Sequence, residues 1–191
     1  LRWRAVRAAA CRAVTVPAET STGGAGMDDA AIEELLDAMA AELQAQVAAC
    51  ARGEPLMIGI QTGGAWVAAR LQARLGWPLG TLNIAFYRDD FSRIGMHPRV
   101  TPSRLPFDVE DRAVVLVDDV IHTGRTVRAA LNEIFDFGRP ALVLLAVLFD
   151  RAGRELPVQA NVTGRRLTLA AGQHAKLTGP SPLALSIAEV A

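Results

Sequence analysis

The sequence predicts an α/β fold: a mainly parallel central sheet flanked by helices, with a small hood supplied by the C-terminal region. Three observations carry this reading. Short apolar runs recur at Leu56–Ile60, Val114–Val117 and Ala141–Phe149, as strands buried on both faces require. Leu56–Ile60 and Val114–Val117 each lead into a glycine-bearing turn and then a helical stripe. The chain has 191 residues and 51% hydrophobic content, enough for one α/β domain with a real core.

Residues 1–26 differ in composition from the rest of the chain. Arg2, Arg4, Arg7 and Arg12 precede the first acid, Glu19, and the segment ends in Ser21-Thr22-Gly23-Gly24-Ala25-Gly26, a linker composition. An Arg-rich transit peptide is one reading, but no continuous apolar region or amphipathic stripe supports it. The simpler expectation is an unstructured extension, or sequence upstream of the true start, before a domain spanning 27–191.

From Asp28 to Ala51, Ile32, Leu35, Leu36, Met39, Leu43 and Val47 form a helical stripe, with Asp28 and Asp29 suited to its start. Its other face carries Glu33, Glu34, Asp37 and Glu42 and no cation. The Leu56–Ile60 strand runs into Gln61-Thr62-Gly63-Gly64-Ala65, and Trp66–Leu75 reads as the helix after it. Paired glycines let backbone approach a ligand, and such a loop donates N–H groups to a pyrophosphate. Gly80–Tyr87 reads as a strand ending in Tyr87-Arg88-Asp89-Asp90. Between Phe91 and Asp111 no period holds; Pro98, Pro102 and Pro106 interrupt it, and Arg93, His97, Arg99 and Arg104 suit a lid over a polyanion.

The chain is organised around Val114-Val115-Leu116-Val117-Asp118-Asp119-Val120-Ile121-His122-Thr123-Gly124-Arg125-Thr126. A strand meets two carboxylates, then a turn, then a helix whose apolar face is Val127, Ala130, Leu131, Ile134 and Phe135. Gly138 and Pro140 end that helix, and Ala141–Phe149 completes a right-handed β-α-β unit. N–H groups at a helix start attract anions. Thr123, Gly124, Arg125 and Thr126 add hydroxyls and a guanidinium there, so a monoester phosphate fits. Asp118 and Asp119 cannot face phosphate unaided, so they take sugar hydroxyls or hydrated Mg²⁺. Phosphate, diol and metal together point to a phosphorylated ribose. No Gly-Lys-Ser/Thr or Gly-x-Gly-x-x-Gly appears, which excludes a Walker loop and leaves a dinucleotide fingerprint unsupported.

After Asp150-Arg151-Ala152-Gly153-Arg154-Glu155-Leu156-Pro157 the tail alternates β-like pieces with turns: Val158–Thr163, the turn Gly164-Arg165-Arg166, Leu167–Leu169, His174–Leu177 and Leu183–Val190. These would cover the carboxyl edge of the sheet. Net charge is zero, which argues against strong non-specific nucleic-acid affinity. No uncharged apolar run of membrane-spanning length occurs. Cys11 and Cys50 match no metal or disulfide pattern, and a reducing cytoplasm is the simplest home.

Asp-Asp followed by Thr-Gly-Arg-Thr resembles the phosphoribosyl pyrophosphate (PRPP) motif of type I phosphoribosyltransferases. With Ile58-Gly59-Ile60-Gln61-Thr62, Phe86-Tyr87-Arg88-Asp89-Asp90, Leu105-Pro106-Phe107-Asp108, Phe137-Gly138-Arg139-Pro140 and Arg154-Glu155-Leu156-Pro157, the chain from Met27 onward resembles the bifunctional pyrimidine-operon regulator and uracil phosphoribosyltransferase family. The resemblance implies the type I phosphoribosyltransferase fold, conversion of uracil and PRPP to UMP and pyrophosphate, a Mg²⁺ requirement, and a homo-oligomer, dimer or tetramer. It also implies sensing of uridine nucleotides and binding of the mRNA leader of pyrimidine genes.

Carried over by position, Asp118 and Asp119 hold the ribose hydroxyls and, through water, Mg²⁺; with Arg88 they form the catalytic set. Thr123, Gly124, Arg125 and Thr126 take the 5′-phosphate, and Val120, Ile121 and His122 complete that binding segment. Thr62 and Gly63 border the pyrophosphate. Arg151 lies beside the nucleotide, and a Thr163-Gly164-Arg165 turn helps form the uracil site. His122 is a general-base candidate, although local hydrogen bonding is the simpler role.

Two departures stand out. The family commonly carries Arg where Gly63 stands and a cation where Gln61 stands, so Arg88 or a lid arginine must compensate. RNA-binding members carry basic residues on a first helix that here is acidic. The alternatives are a catalytically weak nucleotide-sensing RNA regulator and a transferase for another base.

Overall fold

The computed structural model describes residues 26–50, 53–84 and 102–189. The N-terminal extension up to Ala25, the Tyr87-Arg88-Asp89-Asp90 segment, and Arg93, His97 and Arg99 lie outside the described residues.

Among the described residues, three helices and seven strands occur in the order α1 (Asp29–Cys50), β1 (Leu56–Ile60), α2 (Gly63–Leu75), β2 (Leu79–Leu82), β3 (Ala113–Ile121), α3 (Arg125–Phe137), β4 (Leu142–Arg151), β5 (Val162–Leu167), β6 (Gln173–Thr178) and β7 (Ala184–Glu189). Strands β2-β1-β3-β4-β5 form one parallel sheet in that spatial order, and β6-β7 form a separate antiparallel hairpin.

Burial explains the layers. Val115, Val117, Leu144, Ala146 and Leu148 face α1, α2 and the hairpin, together with Ile32, Leu36, Met39, Leu43, Val67 and Leu71. Val114, Leu116, Leu145 and Val147 face the opposite way, against Val127, Ala130 and Ile134 of α3. Alternation along β3 and β4 thus feeds two cores, as expected of a sheet covered on both faces. The α1 stripe is core, and Trp66 and Trp77 pack against that core partly buried.

Several boundaries differ from the sequence reading. Asp28 caps α1, its Oδ1 accepting from the Ala31 N–H at 3.0 Å. Helix α2 begins at Gly63, not Trp66. Strand β3 continues through Asp118 and Asp119 to Ile121, because β4 pairs with it as far as Ile121↔Asp150. Phe135 does not belong to the buried face of α3; it is 54% exposed. Gly164 and Arg165 do not form a turn. They lie inside β5, which pairs parallel to β4 with Phe149 opposite Arg165. A Cβ at Gly164 would meet the Leu148 carbonyl at 2.6 Å and Met39 Sδ at 3.0 Å, so its missing side chain allows strand and helix to close.

The acidic face of α1 is also not bare of cations. Arg70 of α2 pairs with Asp29 and Glu33, and Arg74 with Glu33 and Asp37. These partners come from the next helix, which no pattern within α1 reveals.

Candidate active site

Among the described strands the order reverses between β1 and β3. The chain leaves β1 toward β2 on one side, and β3 lies on the other side of β1. The β1–α2 and β3–α3 loops therefore diverge at the carboxyl ends of neighbouring strands, leaving the crevice where open parallel sheets bind ligands.

The β1–α2 loop supplies one wall. The Gln61 N–H donates to the Leu82 carbonyl at 2.8 Å, extending β1 by one bond, and the Gln61–Thr62 peptide is cis. Gln61 Nε2 donates to Thr81 Oγ1 at 3.4 Å, so its amide engages β2. Gly63 and Gly64 open α2. A Cβ at Gly64 would come within 2.6 Å of the Val117 carbonyl and 2.8 Å of Asp118 Cα. A Cβ at Gly63 would overlap the Asp119 carboxylate. The glycine pair thus lets the loop lie directly against the acidic end of β3.

The β3–α3 segment supplies the other wall. Asp118 is buried, with 3% exposure, and its Oδ1 accepts from the Asp119 N–H at 3.0 Å; Asp119 is half-buried. Gly124 adopts φ 92°, the left-handed turn that admits glycine, and α3 starts at the next residue. The Arg125 N–H donates to Thr123 Oγ1 at 3.3 Å, and the Arg125 guanidinium pairs with Glu155 at 2.8 Å. Both members of that pair are about half exposed or more, so its worth is small. The Arg128 N–H donates to the Gly124 carbonyl at 3.0 Å, the first bond of the helix, and helix geometry offers the N–H groups of Thr126 and Val127 ahead of it no carbonyl, the usual reason a helix start accepts an anion.

His122 belongs to this second wall, directly after the end of β3. Burial depresses its pKa below the ordinary value of 6.5; the nearby Arg151 and Arg154 charges, and His174 on the hairpin, act in the same direction, and Glu155 opposes them. The structure thus brings Arg151 and His122 together, and brings the hairpin to the same edge. Gly164 is packed beneath Met39, while Arg165 Nη1 approaches Met27 Sδ at 3.5 Å.

Sequence reasoning missed how the segment after β4 engages this edge. The Glu155 and Leu156 N–H groups both donate to the Thr123 carbonyl, at 3.0 and 3.1 Å. The spacing of Asp150 and Arg154, four apart and oppositely charged, was the available signal; they pair at 2.5 Å.

Among the described residues no cluster of three or more His, Cys, Asp or Glu side chains is poised to hold a metal. The adjacent carboxylates of Asp118 and Asp119 still suit Mg²⁺, which takes one or two carboxylates and completes its shell with water and substrate phosphate.

A profile described as the phosphoribosyl transferase domain matches residues 28–171. The bifunctional protein PyrR of Nitrosococcus oceani is 61% identical over 160 residues, covering 82% of this chain and 90% of that protein. The chain belongs to the PyrR family of phosphoribosyltransferases. The PyrR of Pseudomonas entomophila is 56% identical over 160 residues, covering 83% of this chain and 93% of its own length. Among solved structures, the purine phosphoribosyltransferase of Pyrococcus horikoshii shares 27% identity at a TM-score of 0.56, covering 72% of this chain and 84% of that one. A hypoxanthine phosphoribosyltransferase from Staphylococcus aureus aligns at a TM-score of 0.62 with 13% identity, over 87% of this chain and 93% of that one, a likeness of fold alone. As a PyrR-type phosphoribosyltransferase the chain is a pentosyltransferase. No helix among the described residues is long and apolar enough to cross a membrane.

Proposed function

We propose that this PyrR-family chain converts uracil and PRPP to UMP and pyrophosphate, with Mg²⁺ as cofactor. The observation that carries the reading is the convergence of two strand-loop-helix corners at the β1/β3 reversal. One presents paired glycines, the other an Asp-Asp pair leading to a threonine-framed helix start.

The chain's residues divide the work by charge. Thr123, Gly124, Arg125 and Thr126 bind the 5′-phosphate with N–H and hydroxyl donors at the α3 start. Asp118 and Asp119 accept from the ribose 2- and 3-hydroxyls, which fixes the sugar against the end of β3. Their negative charge also favours the cation-like sugar that develops as pyrophosphate leaves C1. Thr62 and Gly63 border the departing pyrophosphate. When bound, Mg²⁺ neutralises charge on the pyrophosphate and so improves it as a leaving group. Arg88 is proposed as the cation that compensates for Gly63 and Gln61. Arg151 flanks the nucleotide, and Val120, Ile121 and His122 line the strand end between sugar and phosphate. Arg165, at the β5 edge beside Met27, borders the base.

The test is UMP formation measured with PRPP, Mg²⁺ and a panel of bases. Turnover with uracil alone supports the reading. Turnover only with another base replaces the substrate, and absence of ribose 5-phosphate binding in calorimetry removes the site.

One observation favours a second activity beside the first. The acids of α1 are partly neutralised by Arg70 and Arg74, so the face that bears them is less repulsive to RNA than its own sequence implies. We propose that uridine nucleotides promote binding of a pyrimidine-gene mRNA leader, as a homo-oligomer in the cytoplasm. Retention of leader RNA that depends on UMP and weakens steeply with salt tests it. Sedimentation checks the assembly.

A further inference from the structure

The connector between β4 and β5 (residues 152–161) has its centre at Arg154. Arg154 Nη1 donates to the carbonyls of His122 at 2.5 Å and Arg151 at 2.9 Å. Its Nε donates to the Val158 carbonyl at 3.2 Å, and its Nη2 to Asp150 Oδ1 at 2.5 Å. All three guanidinium nitrogens are thereby engaged inside the chain. The side chain is only 24% exposed and its Asp150 partner 17%.

The acceptors belong to three separate pieces: the first residue after β3, the end of β4 and the connector. The next two residues continue the contact, since the Glu155 and Leu156 N–H groups share the Thr123 carbonyl. A Cβ at Gly124 would overlap the Val158 side chain, so the connector lies directly on the turn. Two consecutive carbonyls of the phosphate turn, His122 and Thr123, are thus both held by the connector, one by Arg154 itself and one by its neighbours.

We infer that Arg154 is a positioning residue for the phosphate turn. By fixing the His122 carbonyl it sets the orientation of the peptides leading into α3, and with it the aim of the N–H groups that meet the 5′-phosphate. This inference rests on the reading of Thr123–Thr126 as the phosphate site. The guanidinium is suited to the task because its planar fork serves acceptors in several directions at once, which a lysine ammonium on a flexible stem does not reproduce. The same engagement takes Arg154 out of the pool of cations available to RNA phosphates.

The test uses the full chain. Arg154→Met and Arg154→Lys are compared with the parent by PRPP-saturation kinetics and by calorimetry with ribose 5-phosphate. Both substitutions are expected to raise the KM for PRPP and the Kd for ribose 5-phosphate about tenfold, with kcat changed less than about twofold. Lysine is expected not to rescue. Arg74→Met, which breaks the α1–α2 ion pairs instead, serves as a control for lost stability and should leave the KM unchanged. Asp150→Asn, a milder change that loosens the same guanidinium, should raise the KM by a smaller factor and decides the matter if the Arg154 variants do not fold. A parent-like KM and Kd in the folded variants, or full rescue by lysine, overturns the inference. A parent that itself fails to bind ribose 5-phosphate overturns the phosphate-site reading instead.

Discussion

Gly63 lies against the carboxylate of Asp119 across the gap between β1 and β3, so closely that a side chain at position 63 would occupy the space Asp119 Oδ2 now fills. The β1–α2 loop and the acidic end of β3 are therefore sterically coupled. Gly63→Ala should keep the fold, because the carboxylate can rotate aside and the remaining 2.9 Å approach to Asp119 Cβ asks only a small backbone shift, but it should misplace that carboxylate. The expected result is a rise of roughly 3- to 10-fold in the KM for PRPP, with a higher Mg²⁺ concentration needed for half-maximal rate. Steady-state kinetics against PRPP and Mg²⁺ check both.

The two carboxylates have different surroundings. Asp118 is buried and accepts from the Asp119 N–H, whereas Asp119 is half-buried. An Asn at 118 retains an oxygen for that bond, so Asp118→Asn with Asp119→Asn should fold normally. It should lower turnover by about 100-fold or more, since charge aimed at the developing sugar cation is lost. Chelating Mg²⁺ from the parent should abolish turnover reversibly. Normal kinetics in the double variant would remove both residues from the site.

The fold was legible because its signals are local. Val114–Val117 and Leu142–Phe149 sit in continuous apolar runs, and buried parallel strands need little else. The Asp-Asp pair and threonine turn were legible because their chemistry is contiguous in sequence. What stayed hidden depends on distant partners. Phe135 has the spacing of a buried residue, yet it is 54% exposed while its neighbour Ile134 is fully buried, so the face of α3 turned to the sheet is set by Val127, Ala130 and Ile134. Gly164 reads as a turn because glycine usually marks one; here it admits the Met39 side chain beside a strand. The cations facing α1 lie on α2, and the side chain that holds the β3–α3 turn arrives from beyond β4.

His122 gives the stability a pH dependence. Its folded pKa is depressed below 6.5, so the unfolded chain binds more protons once the pH falls into that region. This part of the stability is fully present above the ordinary histidine value and declines as the pH drops through 6.5 toward the depressed value. His122→Gln should flatten the fall in melting temperature between about pH 7 and pH 5. The Arg154 bond goes to the His122 backbone carbonyl and survives the substitution. Thermal melts of both proteins across that window check the slope.

Glu42 works in the opposite sense. Burial raises its pKa above 4.5, and the hydrogen bond from Gln46 only partly offsets this. A raised carboxylate destabilises the fold as the pH climbs from 4.5 through the raised value. Beside it, Gln46 Oε1 is buried without a partner. Glu42→Gln removes the charge and adds an N–H donor next to that oxygen. At pH 7 the variant should melt about 1–3 °C higher, a modest gain because Glu42 remains partly solvated. The gain should vanish well below pH 4.5.

Asp29 ties the C-terminal hairpin to the helical layer. Its Oδ1 accepts from the Leu183 N–H at 2.6 Å, and the Arg70 guanidinium reaches both that oxygen, at 3.4 Å, and the Pro180 carbonyl, at 3.2 Å. Leu183 is fully buried, so losing the acceptor strands its N–H away from water. Asp29→Ala should cost about 1–3 kcal/mol, whereas Asp29→Asn, which retains an acceptor oxygen, should cost less. The loss should appear first in the hairpin. Gly179 packs against the Trp66 ring, and Trp66 stands in the first turn of α2, just beyond Gly63. Loosening the hairpin should therefore speed amide exchange at Leu183 and along the first turn of α2 before the β3–β4 core is affected. Site-resolved hydrogen exchange decides this, since uniform acceleration across the sheet would mean that Asp29 supports the whole fold rather than the hood.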